Sequence, residues 1–354
     1  MITIIFCGDY KYCPYLKRYT ERLDRLGKAY QVLLWNRGGF KLDLPDNYFC
    51  YDLQSPEDQG MARKAVDFYK FRRWILRHLK KYPADALIFL TTLVGVLLAD
   101  KVKKYPYIFD VRDSCYEQYG LFRRAEKRVV DNSVFTCISS PGFRAFLPEH
   151  DYVPCHNLSR TELPQKPPHR QMNDPIRIVW NGTVRYFDFQ KYYLDAFKND
   201  SRFRLVYHGL GTDLQMYQDY CRENDIRNVE FTGGYDNRDK PKLLQDADVL
   251  NNCYGGQWAD TLRYAVSNRF YDGLIYGIPQ MVEPGGVKES LIGTGCAGIA
   301  LAPGPDTPDR LYEYLQNLDR DRFSQDCAEL LSGILQEDQQ FTDRIDDFIT
   351  EYGG

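Results

Sequence analysis

The feature that most restricts the fold of this chain is an alternation of strands and helices that runs, stops and runs again. Short apolar runs at 3–7, 30–35, 48–53, 86–90, 107–111 and 134–139 are separated by helical periodicity at 14–27, 60–81, 92–104, 117–130 and 141–147. A stretch rich in Pro and polar residues, RTELPQKPPHRQMNDP (160–175), has no period and reads as a linker. Strands then return at 176–182, 203–209, 228–234, 247–252, 278–283 and 297–302, with helices at 188–198, 212–223, 238–246, 261–276 and 286–291. Three helical stretches follow at 306–318, 322–335 and 339–351. Short apolar strands alternating with helices require a parallel sheet covered on both faces. The expectation is an α/β protein of two tandem Rossmann-like domains facing across a cleft. Residues 1–165 would form the first and 166–335 the second, with a helix at 336–354 crossing back. At 354 residues the chain is long enough for two cores.

Composition narrows the setting. No apolar run approaches the ~18–20 residues that span a bilayer. The start, MITIIFCGDY, has no basic region and leads straight into a strand, so it does not read as a signal peptide. Ten cysteines are scattered without a CxxC pair, which fits reduced thiols in a cytoplasmic protein. Net charge is −3 but uneven: residues 1–165 carry 26 Lys and Arg against 19 Asp and Glu, and the rest carry 20 against 30.

In doubly wound sheets ligands bind beyond the carboxyl ends of strands, at the point where strand order reverses. The segment SNRFYDGLIYGIPQMVEPGG (267–286) follows a strand and a loop. Its helix would place Asn268 and Asp272 on one face, with Arg269 a turn from Asp272 on the other side. Gly277 is a natural left-handed cap before Pro279. Amides at the helix start, near Ser267–Asn268, suit an anion. A solvated surface helix is the other reading of the same residues. VYHGLGT (206–212) ends a strand in a Gly turn, but Gly209-x-Gly211 lacks the third Gly of a dinucleotide fingerprint. Asp246-Ala247-Asp248 lies at a helix-to-strand junction and reads as structural, so no metal is expected.

The order IVWNGTVR, VYHGLG, VEFTGGY, LLQDADVLNN and NRFYDGLIYGIPQMVEPGG resembles the carboxyl-terminal domain of GT-B glycosyltransferases, especially glycosyltransferase family 4. The resemblance covers about residues 176–302; the first half matches only in architecture and in YIFDVRD. It implies a nucleotide-sugar donor, a saccharide or lipid-linked acceptor, no cofactor, no metal and a retaining reaction. It also implies that Asp272, five residues before Gly277, binds the donor ribose, and that Arg185 and Lys191 neutralise its diphosphate. The family's second acid, eight residues before the first, is here Tyr264, which departs from the paired-acid pattern. Asp260, Asn268 or Tyr254 are its possible substitutes. His208, Gly209, Asn268 and Arg269 complete the donor-side candidates. Two leaving phosphates need compensating charge, which is the physical reason for a catalytic Arg185.

On the acceptor side, FDVRDSCYE (109–117) ends a strand with Asp110 and Arg112 on one face and Asp113 at the mouth. Asp113 could orient an acceptor hydroxyl or take its proton; an Asp–Arg pair pinning a loop is the alternative. The loop CGDYKYCP (7–14) adds Gly8, Asp9 and Lys11. Residues 62–82 carry eight Lys and Arg against one Asp. Arg63, Lys70, Arg73, Arg77, Lys80 and Lys81 share one arc, opposite Ala65, Phe68, Tyr69, Phe71, Ile75, Leu76 and Leu79, with Trp74 at the edge. The basic arc within 63–81 is either solvated or rests on an anionic membrane surface at the inner face of the plasma membrane. No nucleic-acid module is present. The function expected is sugar transfer in surface polysaccharide synthesis. A sugar-nucleotide 2-epimerase and a degenerate GT-B protein that binds without turnover are the alternatives.

Overall fold

The computed structural model describes residues 1–10, 13–56, 59–158, 171–255, 259–293 and 297–354. Lys11 and most of the 160–175 linker lie outside them. The chain divides into two compact units, Met1–His156 with Gln336–Gly354, and Asn157–Leu335.

Unit 1 is built on a seven-stranded sheet: β1 (Ile2–Phe6), β2 (Tyr30–Trp35), β3 (Tyr48–Tyr51), β4 (Ala86–Leu90), β5 (Tyr107–Val111), β6 (Phe135–Ile138) and β7 (Tyr152–Pro154). Its order is β3-β2-β1-β4-β5-β6-β7, and every pairing is parallel. Helices α1 (Lys17–Arg25), α2 (Met61–Lys81), α3 (Thr92–Leu97) and α4 (Gly120–Asn132) make its connections.

Unit 2 carries β8 (Ile176–Asn181), β9 (Phe203–His208), β10 (Val229–Gly233), β11 (Val249–Asn251), β12 (Gln280–Val282) and β13 (Gly298–Ala300). The order is β10-β9-β8-β11-β12-β13, again all parallel. Its helices are α5 (Phe187–Ala196), α6 (Leu214–Glu223), α7 (Lys240–Leu244), α8 (Ala259–Leu262), α9 (Asn268–Tyr276), α10 (Val287–Ile292) and α11 (Thr307–Gln316); α12 (Arg320–Tyr352) runs from unit 2 into unit 1. Strand order reverses between β1 and β4 and between β8 and β11.

Period-two alternation makes the cores. Along β8, Ile176, Ile178 and Trp180 enter one apolar cluster and Val179 the cluster on the opposite face. In unit 1, Phe341, Ile345, Phe348 and Ile349 of α12 pack with Ile2, Ile4, Val32 and Leu34, a helical stripe closing one face of the sheet. Ion pairs Arg18–Asp338 and Arg22–Asp346 flank that stripe.

Several elements differ from the sequence expectation. The edge strand β7 is a three-residue segment ending in Pro, too short for a periodic signal. The helices expected at 322–335 and 339–351 are one 33-residue helix, because the polar stretch between them contains no helix breaker. The segment 141–147 holds a 3-10 turn, Pro141–Ala145, capped by Ser140. The helix expected at 261–276 is two, α8 and α9, separated where the Ser267 side chain accepts from the amide of Phe270 and restarts the helix. On α2 the buried stripe is Asp67, Phe71, Ile75 and Leu79, narrower than the wheel suggests; Ala65 and Tyr69 are exposed instead of buried. Trp74 stacks on Phe71, and the basic arc from Arg63 to Lys81 is exposed.

Candidate functional site

The carboxyl edge of the unit 2 sheet is opened by glycines. Strands β8, β9 and β10 all lead to a glycine with positive φ: Gly182 (115°), Gly209 (141°) and Gly233 (80°). A Cβ on Gly209 would sit 1.9 Å from the carbonyl oxygen of Gly182, so only glycine lets these two chain turns lie together. The switch point between β8 and β11 lies beside this edge, and α9 begins over it.

The start of α9 is locked in place by a buried polar chain. Ser267 donates to Oδ1 of Asn252 at 2.5 Å, Asn252 donates to Oε1 of Gln280 at 2.9 Å, and Gln280 donates to the carbonyl of Phe270 at 3.0 Å. Gly273 permits this approach, since a Cβ there would meet the Gln280 amide at 2.4 Å. The helix ends at Gly277, in the left-handed conformation expected of its cap.

Two charged residues of α9 then bracket the end of β8. Asp272, 3% exposed, accepts from Nδ2 of Asn181 at 2.9 Å and from Nζ of Lys240 at 2.8 Å. Three residues earlier, Arg269 takes the other side of the strand, with its guanidinium carbon 3.4 Å from the centroid of the Trp180 ring. Adjacent strand residues point to opposite faces, so Trp180 and Asn181 separate the cation from the carboxylate. Arg269 is 5% exposed and donates through Nη2 to the Tyr254 hydroxyl at 2.7 Å. Its Nε and Nη1 have no hydrogen-bond partner among the described residues.

Around this pair lie further polar groups. Lys288, wholly buried, pairs with Glu283 at 2.9 Å and lies 3.8 Å from the centroid of the Tyr254 ring. Burial alone would raise the Tyr254 phenol, but Arg269 and Lys288 outweigh it and hold the pKa below its ordinary value. Tyr235 shifts the opposite way, raised by burial first and then by Asp272. His208 pairs with Asn181 in strand register, and its Nδ1 lies 2.7 Å from the Thr232 hydroxyl. Burial, helped by Arg177, lowers its pKa and favours the neutral ring. With Asp272 matched by Lys240 and Glu283 by Lys288, the buried Arg269 is without a carboxylate among the described residues. A buried cation with unused donors is costly unless an anion meets it. The arrangement therefore suits a ligand that presents both hydroxyls and negative charge.

No family model matches this chain, and no curated protein matches it. Among solved structures it is similar to sucrose-phosphate synthase from Thermosynechococcus elongatus, at TM-score 0.73 and 11% identity over 99% of each chain. It is similar to HepE of Anabaena in complex with UDP, at 0.66 and 10% over 98% of this chain and 100% of that one. WaaG, a glycosyltransferase involved in lipopolysaccharide biosynthesis, gives 0.60 and 13% over 99% and 100%. The fold is GT-B.

Within the GT-B frame the remaining expected residues fall into groups. Asn268 is exposed and accepts from Nδ2 of Asn157 at 2.6 Å. Arg185 is exposed, its guanidinium carbon 4.7 Å from the centroid of the Tyr186 ring, and Tyr186 holds a left-handed φ of 67°. Lys191 is half-buried on α5, over the Phe187 and Tyr192 rings. Tyr264 lies half-buried in the break between α8 and α9. Asp248 accepts from the backbone amides of Asn173 and Arg177, a structural use.

In unit 1, Asp110 is fully buried and accepts from the Tyr19 hydroxyl at 2.7 Å and Nη2 of Arg112 at 2.8 Å. Arg112 also reaches Sγ of Cys155 at 2.6 Å and stacks on Tyr15. The pair is spent on internal partners, the loop-pinning alternative. Asp113 is exposed at the mouth of β5, and Asp9 accepts from the Gly38 amide at 2.9 Å. Gly8 is half-buried, and a Cβ there would press on its own neighbour Phe6 at 2.9 Å.

Sequence reasoning missed Lys240, Asn181, Trp180, Lys288 and Glu283. Lys240 opens α7 seven residues after β10, whereas Asn181 stands at the end of a strand, which is a signal. Their partnership with Asp272 is a long-range contact and has none.

Proposed function

We propose that this chain is a glycosyltransferase that moves a sugar from a nucleotide-sugar donor to a saccharide acceptor carried on a lipid, in surface polysaccharide synthesis at the inner face of a membrane. The observation that carries the proposal is the α9 pair: an anchored carboxylate and a buried, under-used guanidinium on either side of the β8 end. Asp272 would accept the ribose hydroxyls. Arg269 would meet the diphosphate, with Arg185 and Lys191 adding charge from the β8–α5 segment. Charge-assisted contacts to a leaving diphosphate act where negative charge grows in the transition state. The anomeric carbon–phosphate oxygen bond breaks, the nucleoside diphosphate leaves with its electron pair, and the acceptor oxygen forms the new bond. Asp113 orients the acceptor hydroxyl and takes its proton. Support also comes from HepE structures holding UDP and UDP-glucose. Family 4 resemblance points to retention of configuration without a metal.

Among the described residues no helix is long and apolar enough to cross a membrane. The exposed cations of α2 favour contact with anionic head groups instead.

One observation keeps a second reading in view. Tyr264 stands where the resemblance expects an acid, which fits a degenerate protein that binds donors without turnover. Incubation with a panel of sugar nucleotides, followed by thermal shift and by release of free nucleotide, tests both. Release or transfer supports the enzyme, binding without release supports the degenerate protein, and no binding by any donor rejects both.

A further inference from the structure

We propose that unit 1 holds the hydrocarbon chain of an amphiphilic ligand with an anionic head, in a groove between α2, α3 and α4. The proposal rests on the reading of a lipid-linked acceptor above. The groove has a volume of about 520 Å³, within the ordinary range of small-molecule sites. Phe68, Leu93, Val96, Leu97, Phe122 and Ala125 contribute to its wall. Three large apolar side chains on its lining are strongly exposed: Met61 (57%), Tyr119 (54%) and Leu121 (83%). Single exposed apolar residues are commonplace, but three gathered on one groove mark a contact surface.

The chemistry of the wall selects the occupant. Helices supply most of it, and their backbone groups are engaged within each helix, so no strand edge is offered. An extended peptide entering there would strip water from its amides and find no partners for them. A hydrocarbon chain has no such groups. The one charged residue in the lining is Lys64, and exposed Arg123 and Arg124 flank Phe122 and Ala125 on α4. These cations complement an anionic head. The sheet is parallel, so the starts of α3 and α4, which follow β4 and β5, stand at its carboxyl edge. Asp113, two residues after β5, is at that same edge.

The test uses the full chain and butyl, octyl and dodecyl phosphate below their micelle concentrations, with dodecyl glucoside as the uncharged comparison. Titration calorimetry should give affinity that rises with chain length and is weaker for the glucoside. Leu121→Glu should weaken dodecyl phosphate about tenfold, the order expected from losing one Leu-sized apolar contact, and Ala65→Glu, which sets a like charge in the groove, should weaken it as well; both positions are exposed, so the melting temperature should not change. Affinity independent of chain length, or equal in both variants and the unaltered chain, overturns the groove. Binding to anionic vesicles that is equal in Leu121→Glu, without dodecyl phosphate binding, assigns the surface to general adsorption and also overturns it. Donor binding measured on the same sample reports on the glycosyltransferase reading separately, since its residues lie in unit 2.

Discussion

Replacing Asp272 by Asn keeps the side-chain shape and removes the charge, and the structure allows its consequences to be worked out. Each carboxylate oxygen already holds one donor, Nδ2 of Asn181 at 2.9 Å and Nζ of Lys240 at 2.8 Å. An ionised carboxylate has about four acceptor positions, so about two remain for the hydroxyls of a ribose. An Asn has a single acceptor oxygen, and its amide hydrogens would confront either Asn181 or Lys240, donor against donor. Hydrogen bonds to a charged group contribute about 1.5–3 kcal/mol each, so losing one of the two weakens a ribonucleotide by about 10–150-fold. Removing the 2′-hydroxyl from the ligand tests the same contact from the other side. Calorimetry with UDP and 2′-deoxy-UDP, on the unaltered chain and on Asp272→Asn, forms a closed cycle. The unaltered chain should prefer the ribonucleotide by at least about tenfold, and the variant should show almost no preference. The variant should also melt lower, because Lys240, with 14% of its side chain exposed, loses the charge of Asp272. The comparison is made on folded protein, so that loss does not enter the ratio. A ribose preference of the same size in both proteins would refute the assignment of Asp272.

Arg269→Met should weaken a nucleoside diphosphate about tenfold or more while leaving the bare nucleoside almost unchanged, as isothermal titration would show; equal loss for both ligands places the anion elsewhere. Glu126, buried on α4, has its pKa pushed up to about 8 by burial first and by Glu117 second. It keeps its proton when folded after an unfolded glutamate, near ~4.3, has lost it, so stability should fall as pH rises between those values. The slope is at most ~1.4 kcal/mol per pH unit. Urea titrations from acid to pH 8 should show that slope flattened in Glu126→Gln, and parallel curves would remove the buried-acid interpretation. Exchanging Arg63, Lys70, Arg73, Arg77, Lys80 and Lys81 for Gln should reduce co-sedimentation with anionic liposomes at low salt and have no effect at high salt; undiminished sedimentation rejects a role for this face.

Much of the fold was legible because its signals are local. The strands of both sheets other than β7 announce themselves as short apolar runs, and Gly277 fixes the end of α9. Asp272, five residues before that glycine, lies on a buried turn of α9 beside the end of β8. The start of α9 near Ser267–Asn268 was legible because its Ser267 cap is local, whereas the separate α8 before it and the bond that ties Ser267 to Asn252, a residue on another loop, were not. The same limit hid the use of Asp110 and Arg112. Their shared face follows from alternation, but Tyr19 and Cys155, which close the network, come from α1 and the end of β7. A helical wheel likewise placed Ala65 and Tyr69 inside, because it knows the arc and not the width of the neighbouring surface.

The charge balance of unit 2 is the ground on which the proposed ligand site rests. A structural cluster closes on itself, as Asp110 does with Tyr19 and Arg112 in unit 1. Around α9, Lys240 answers Asp272, Lys288 answers Glu283, and among the described residues Arg269 has only a phenol and two aromatic faces. Stacking on Trp180 offsets part of the desolvation of the guanidinium but leaves its in-plane donors unused. Even with Tyr254 favoured toward its anion by two cations, only one hydrogen bond to Arg269 results. Both remaining nitrogens are shut off from solvent, so a phosphate would satisfy them only once neighbouring side chains move aside, while the ring beneath Arg269 and the Ser267–Asn252–Gln280 chain hold the guanidinium itself in position. Preorganisation of this kind would cost stability in the empty protein and return it as affinity, as the diphosphate role proposed for Arg269 requires.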